Sequence, residues 1–84
     1  MANDEQGGLD MACTHLDATG LKCPEPLMLV RAALRDLNSG DLLKVTATDP
    51  TTERDLLQLC QYMRHEMVEM KSTGEQWDFC IRKA

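Results

Sequence analysis

The chain has 84 residues, 43% of them hydrophobic, with 9 basic against 14 acidic residues and a net charge of −5. That is enough for one domain with a simple core two layers thick, and no apolar run nears the roughly 20 residues that span a membrane. The acidic balance argues against tight non-specific binding to nucleic acid, which needs a basic surface.

Residues 1–12 are polar and non-periodic and hold three acids and no base, so the expectation is a disordered N-terminal tail with the domain running from 13 to 84. The start has neither a basic cluster nor an apolar segment, so no signal peptide is expected and the protein is assigned to the cytoplasm. Thr14 to Ala18 suits a short strand, and Thr19-Gly20 a turn. From Pro24 the pattern becomes helical: Leu27, Val30, Leu34 and Leu37 share one face, and Asn38-Ser39-Gly40 ends the helix. Leu42 to Thr48 alternates, with Leu43, Val45 and Ala47 on one side and Lys44, Thr46 and Thr48 on the other. Asp49-Pro50-Thr51-Thr52 is a turn and helix start, with Glu53 and Asp55 in the first turn as the helix dipole prefers.

The second helix is expected to bury Leu56, Leu59, Cys60 and Met63. His65 to Ser72 suits a third strand with Val68 and Met70 on one face, and Thr73 to Gln76 a hairpin loop. In the last strand Trp77, Phe79 and Ile81 alternate with Asp78, Cys80 and Arg82. The order β-α-β-α-β-β predicts an α+β, two-layer sandwich. Two helices pack on one face of a four-stranded mixed sheet, any parallel connection is right-handed, and the other face is open to water.

The cysteines stand at 13, 23, 60 and 80. No pair has the two-residue spacing of a zinc knuckle or a redox dithiol, so neither metal nor cofactor is expected, and His15 and His65 lack paired ligand spacing. Cys60 falls on the apolar stripe of a helix and should be an inert core thiol. Cys80 alternates out of phase with the apolar residues and should lie exposed on the open sheet face. Cys13 borders the tail and is read as incidental. His65 follows the second helix, where a cation is favoured.

Cys23 differs from these. It sits in Leu21-Lys22-Cys23-Pro24-Glu25-Pro26 directly before a helix. A thiol at the positive end of a helix dipole should have a lowered pKa and be a good nucleophile. Lys22 adds a positive charge, Pro24 suits the first helical position, and Glu25 suits the dipole while opposing thiolate formation. A purely structural helix-start position would be served as well by Ser or an apolar side chain. Asp49-Pro50 should fix a turn near Cys23, because both occupy loops at helix starts.

The string Leu16-Asp17-Ala18-Thr19-Gly20-Leu21-Lys22-Cys23-Pro24-Glu25-Pro26 resembles the TusA family of small bacterial sulfur carriers, also described as SirA-like. Asp49-Pro50-Thr51-Thr52 with Arg54-Asp55, then His65-Glu66, then Ile81-Arg82-Lys83 extend the resemblance from about residue 15 to the C-terminus. The resemblance implies a sulfurtransferase-type carrier. Cys23 would accept a persulfide sulfur from a cysteine desulfurase and pass it to a downstream relay protein, leading to 2-thiolation of the tRNA wobble uridine. Related carriers feed other routes, including molybdenum cofactor assembly. Only Cys23 carries over as the sulfur-bearing residue; Pro24, Glu25 and Pro26 frame it, and Lys22 and Asp49 are candidate partner-contact residues. A monomer with no direct nucleic acid or membrane partner is expected. The competing readings are a non-catalytic regulatory or binding module, and direct RNA binding, which the acidic balance and few aromatics oppose.

Overall fold

The structure is a computed structural model that describes residues 13–84; the expected disordered tail over residues 1–12 lies outside the described residues. Six elements follow in chain order: β1 (Cys13–Ala18), α1 (Glu25–Arg35), β2 (Leu42–Ala47), α2 (Thr51–Met63), β3 (Glu66–Thr73) and β4 (Gln76–Arg82). The sheet order is β1-β2-β4-β3. β1 and β2 pair in parallel, and β4 runs antiparallel to both β2 and β3. The helices pack on one face of this mixed sheet, as the alternating pattern requires.

Strand register explains the core. Leu16, Val45, Phe79 and Met70 form one row across the four strands, and Ile81 lies between Leu43 and Met67 in the next. Leu43, Val45, Phe79 and Ile81 are buried beneath Val30 and Leu34 of α1 and Leu56, Leu59 and Cys60 of α2. Truncating the central aromatic, Phe79→Ala, would cost about 3–5 kcal/mol.

Four expectations are corrected by this packing. Met63 is 47% exposed rather than buried, and Thr52 takes its place on the buried stripe. In β3 a bulge between Met67 and Glu69 leaves Val68 without a partner, so Val68 and Met70 do not share a face as simple alternation would have it. α1 ends at Arg35 rather than running to Leu37, its last turn tightened by bonds from Asp36 N–H to Ala33 and Leu37 N–H to Leu34. Cys80 is buried, because β4 is an interior strand and Cys80 lies between Lys44 and Glu69, whose long side chains flank it.

The remaining turns follow local chemistry. Arg64 closes α2 in the left-handed conformation at φ 65°, and Gly74 opens a two-residue hairpin turn at φ 64°, which glycine adopts freely. Lys83 Nζ donates to the carbonyls of Leu34 and Leu37, so the C-terminal segment caps α1 with a cation where the dipole favours one. His65 does not play that part: partial burial and the Lys83 charge lower its pKa, and its Nδ1 accepts the Ala84 N–H.

Thr52 Oγ1 is buried without a hydrogen-bond partner. An unsatisfied buried hydroxyl costs about 1–3 kcal/mol. Thr52→Val removes it at nearly constant shape and is expected to raise stability by about 1 kcal/mol, read as a higher midpoint in urea denaturation. An unchanged or lower midpoint would show the hydroxyl to be satisfied.

Candidate functional site

Parallel pairing builds the site. Ala18 and Ala47 face each other at the ends of β1 and β2. The loops that leave those strands, residues 19–24 and 48–50, therefore emerge side by side, each feeding a helix. Outside the carboxyl ends of parallel strands is where open α/β sheets place ligand-binding groups.

Asp49 ties the two loops together. Its Oδ2 accepts the Cys23 N–H at 2.6 Å, and its Oδ1 accepts both the N–H and the hydroxyl of Thr51 at 2.9 Å. One carboxylate thus holds the backbone of the cysteine loop and caps the first turn of α2. A second link, from Gly20 N–H to Thr48 Oγ1 at 2.8 Å, holds the loops together one step further back. The expected nearness of Asp49 and Cys23 is borne out in this bond. The amides of Thr51 and Cys23, and the charge of Lys22, hold the Asp49 carboxyl below the usual carboxylate range.

Cys23 is exposed, and its Sγ donates to Asp55 Oδ2 at 3.4 Å. Asp55 stands one turn into α2; its side chain is only 14% exposed and its other oxygen meets Arg54 at 3.4 Å. The expectation of a lowered thiol pKa is overturned. The Asp55 hydrogen bond first, then desolvation and the Asp55 and Asp49 charges, push the Cys23 pKa up, with the Thr51 hydroxyl acting in the opposite sense. The helix start explains why the dipole does not prevail. Pro24 stands at the N-cap rather than the first helical position, and Pro26 lies in the first turn, so two positions there lack an N–H. The Glu25 N–H is already donated to Lys22. Lys22 bears on Asp49 rather than lowering the Cys23 pKa.

Beside the thiol, a hollow of about 500 Å³ opens between α1 and α2, lined by Leu27, Arg31, Asp55, Leu59, Tyr62 and Met63 among others. Tyr62 is 86% exposed and Met28 62%. Sequence reasoning assigned Thr51 and Asp55 only to a helix start and overlooked this apolar rim. The signal available for Asp55 was its position four residues after Thr51, on the same helical face. Among the described residues no cluster of three or more ligating side chains offers a metal site. Cys60 is buried with its pKa pushed up to about 11.

The sequence profile of the family described as "Sulfurtransferase TusA" matches residues 14–83. The chain is 50% identical over 68 residues to a protein named "Sulfur carrier protein TusA" from Pseudomonas paraeruginosa, covering 81% of this chain and 86% of that one. It is 48% identical to the protein of that name from Pseudomonas fluorescens, covering 81% and 82%, and 46% identical to that from Pseudomonas putida, covering 81% and 85%.

Two outcomes follow from the geometry. Because folding lowers the Asp49 pKa, its contribution is complete above the unfolded value of about 4 and lost as pH falls through the folded value. Asp49→Ala is therefore expected to lower the thermal midpoint at pH 7, with a smaller gap from the parent protein at pH 3, by circular dichroism. Equal gaps at both pH values would contradict this. In native alkylation with iodoacetamide, Cys13 and Cys23 should react while Cys60 and Cys80 stay unmodified until denaturant is added, as peptide mass mapping would show.

Proposed function

The chain belongs to the TusA family of sulfur carriers, and from that footing we propose that Cys23 carries sulfur as a persulfide between a donor and an acceptor protein. The observation that supports this reading most is the convergence of two helix-start loops on one exposed thiol, with Asp49 and Asp55 both in contact with that residue. A carrier needs one accessible sulfur, and the other thiols suit the part less. Cys60 and Cys80 are buried, and Cys13 sits on an edge strand, with no side-chain hydrogen bond among the described residues.

The chemistry is exchange at sulfur. The Cys23 sulfur attacks the outer sulfur of a donor persulfide, the donor S–S bond breaks, and the electron pair leaves with the donor thiolate. Delivery repeats the step, with an acceptor thiolate attacking the outer sulfur of Cys23–S–SH. With no second cysteine in contact with Cys23, no internal disulfide discharges the cargo. A protonated resting thiol also suits a carrier that should stay quiet until its donor docks.

The proposed donor is a cysteine desulfurase and the proposed acceptor the next protein of a sulfur relay, with 2-thiolation of tRNA wobble uridine as the main destination. Leu27, Tyr62 and Met63, with Arg31, line the hollow next to the thiol and offer both proteins an apolar contact with a cation at its edge. Lys22 and Glu25 are exposed on either side of Cys23 and frame the approach to the sulfur, while Pro26 is buried in the first turn of α1. We further propose that the carrier acts in the cytoplasm; no helix among the described residues is long and apolar enough to cross a membrane. A non-catalytic binding module is the competing reading, and the raised Cys23 pKa is the observation in its favour.

Incubation with a cysteine desulfurase and cysteine should add one sulfur, about 32 Da, to the protein by intact mass spectrometry. Cys23→Ala should abolish the addition, and Cys13→Ala, Cys60→Ala and Cys80→Ala should retain it. Uptake persisting in Cys23→Ala, or no uptake in the parent protein, would refute the carrier site.

A further inference from the structure

Asp55 touches the reacting atom of the proposed site, and no other carboxylate is hydrogen-bonded to it among the described residues. Its Oδ2 lies 3.4 Å from Cys23 Sγ, in line to accept the thiol proton. The side chain is largely shielded from solvent, and Arg54 steadies its outer oxygen. α2 fixes its position: Leu56, the next residue, is fully buried and locks the helix against the sheet. Asp49, the other carboxylate nearby, spends both oxygens on backbone and hydroxyl donors, which leaves Asp55 as the free base.

We propose that Asp55 is a catalytic residue, the general base that takes the proton from Cys23 as its sulfur attacks the donor persulfide. This rests on the carrier reading above. The step balances without an oxidant or a reductant. Cys23 Sγ bonds to the outer sulfur of R–S–SH, the S–S bond between the inner and outer sulfurs of the donor breaks, and its electron pair leaves with RS⁻. The Cys23 proton passes to the Asp55 carboxylate and then to RS⁻. The products are Cys23–S–SH and RSH, with Asp55 ionised again. A positioned base of this kind contributes on the order of 10²-fold or more where the free thiolate is scarce.

The charged groups around the pair come from three segments. Lys22 and Glu25 flank Cys23 on the loop and the start of α1, and Arg31 of α1 lines the hollow that Asp55 also lines. Asp49 approaches from the β2–α2 loop, and Arg54 from α2 itself. None of these is hydrogen-bonded to the thiol sulfur, so the proton has one carboxylate to move to.

Kinetics against pH test the assignment. With Asp55 as base, the proton stays within the Cys23–Asp55 pair, and the intrinsic rate varies little between about pH 6 and pH 8. In Asp55→Asn the reaction must wait for free thiolate, which rises about tenfold per pH unit below the thiol pKa. The experiment loads the full chain with glutathione persulfide and follows the mass gain on Cys23, taking the ratio of the Asp55→Asn rate to the parent rate so that the donor's own ionisation cancels. The expected ratio climbs about tenfold per pH unit, and Asp55→Glu restores the parent profile if its longer carboxylate reaches the sulfur. A ratio above one that stays constant with pH would overturn the proposal, leaving Asp55 as a charge that only disfavours thiolate.

The same ratio measured with iodoacetamide reads the pair without any sulfur transfer. A climbing ratio there, with no persulfide uptake in the parent protein, would sink the carrier reading and with it the catalytic role, while leaving the proton contact. Uptake in the parent protein with a flat ratio in both arms would sink the base alone. Circular dichroism of Asp55→Asn, expected to match the parent, separates these outcomes from a folding defect; should it differ, Asp55→Ser carries the same comparison.

Discussion

The carboxylate of Asp49 is the constraint on which the site depends. It accepts from Cys23 N–H on one side and from Thr51 N–H and Oγ1 on the other. A short charge-assisted bond to a backbone amide is stronger than a neutral one, and here it joins segments 26 residues apart in sequence. Without it, the cysteine loop would be held to its neighbour chiefly by the Gly20–Thr48 link. With it, the thiol is set against the first turns of α2, and Asp55 comes within reach.

That arrangement works because of a layer beneath it. The parallel pair β1–β2 sends two chains out of the sheet in the same direction, and the antiparallel pair β2–β4 closes the core under both helices. Phe79, Val45 and Leu43 fix how far the helices stand above the sheet. The C-terminal residues contribute at the opposite end: Lys83 holds the last carbonyls of α1, and its backbone pairs with Gly40 and Asp41. Both ends of α1 are therefore tied to neighbouring segments, which fits a rigid platform for an exposed reactive atom.

Most of the architecture was legible because the chain alternates or repeats where it should. Leu43, Val45 and Ala47, then Phe79 and Ile81, announce strands, and Val30 and Leu34 announce a helix face. What was not legible depended on neighbours in space. The Cys80 exposure was misjudged because its burial comes from β4 lying between β2 and β3, an order that alternation within one strand does not reveal. The facing of Val68 was misjudged because a bulge breaks the period of two. The sign of the Cys23 pKa shift was misjudged because its largest cause comes from a separate helix: the Asp55 carboxylate accepts the thiol hydrogen bond, and desolvation and the Asp55 and Asp49 charges act in the same sense. The proposed sulfur-bearing position was singled out by the sequence for a local reason: Cys23 alone among the four cysteines stands in a proline-framed helix start.

The resulting picture is a thiol that is exposed yet held protonated, beside a carboxylate able to receive its proton and an apolar rim able to receive a protein. The most direct test of that picture is a high-resolution crystal structure of the persulfide-loaded protein. The account predicts additional density for one sulfur on Cys23 Sγ, next to Asp55, with the Cys23 amide still bound to Asp49. Density for the added sulfur on Cys13 or Cys80, or a Cys23 loop detached from Asp49 with Asp55 turned away, would contradict it.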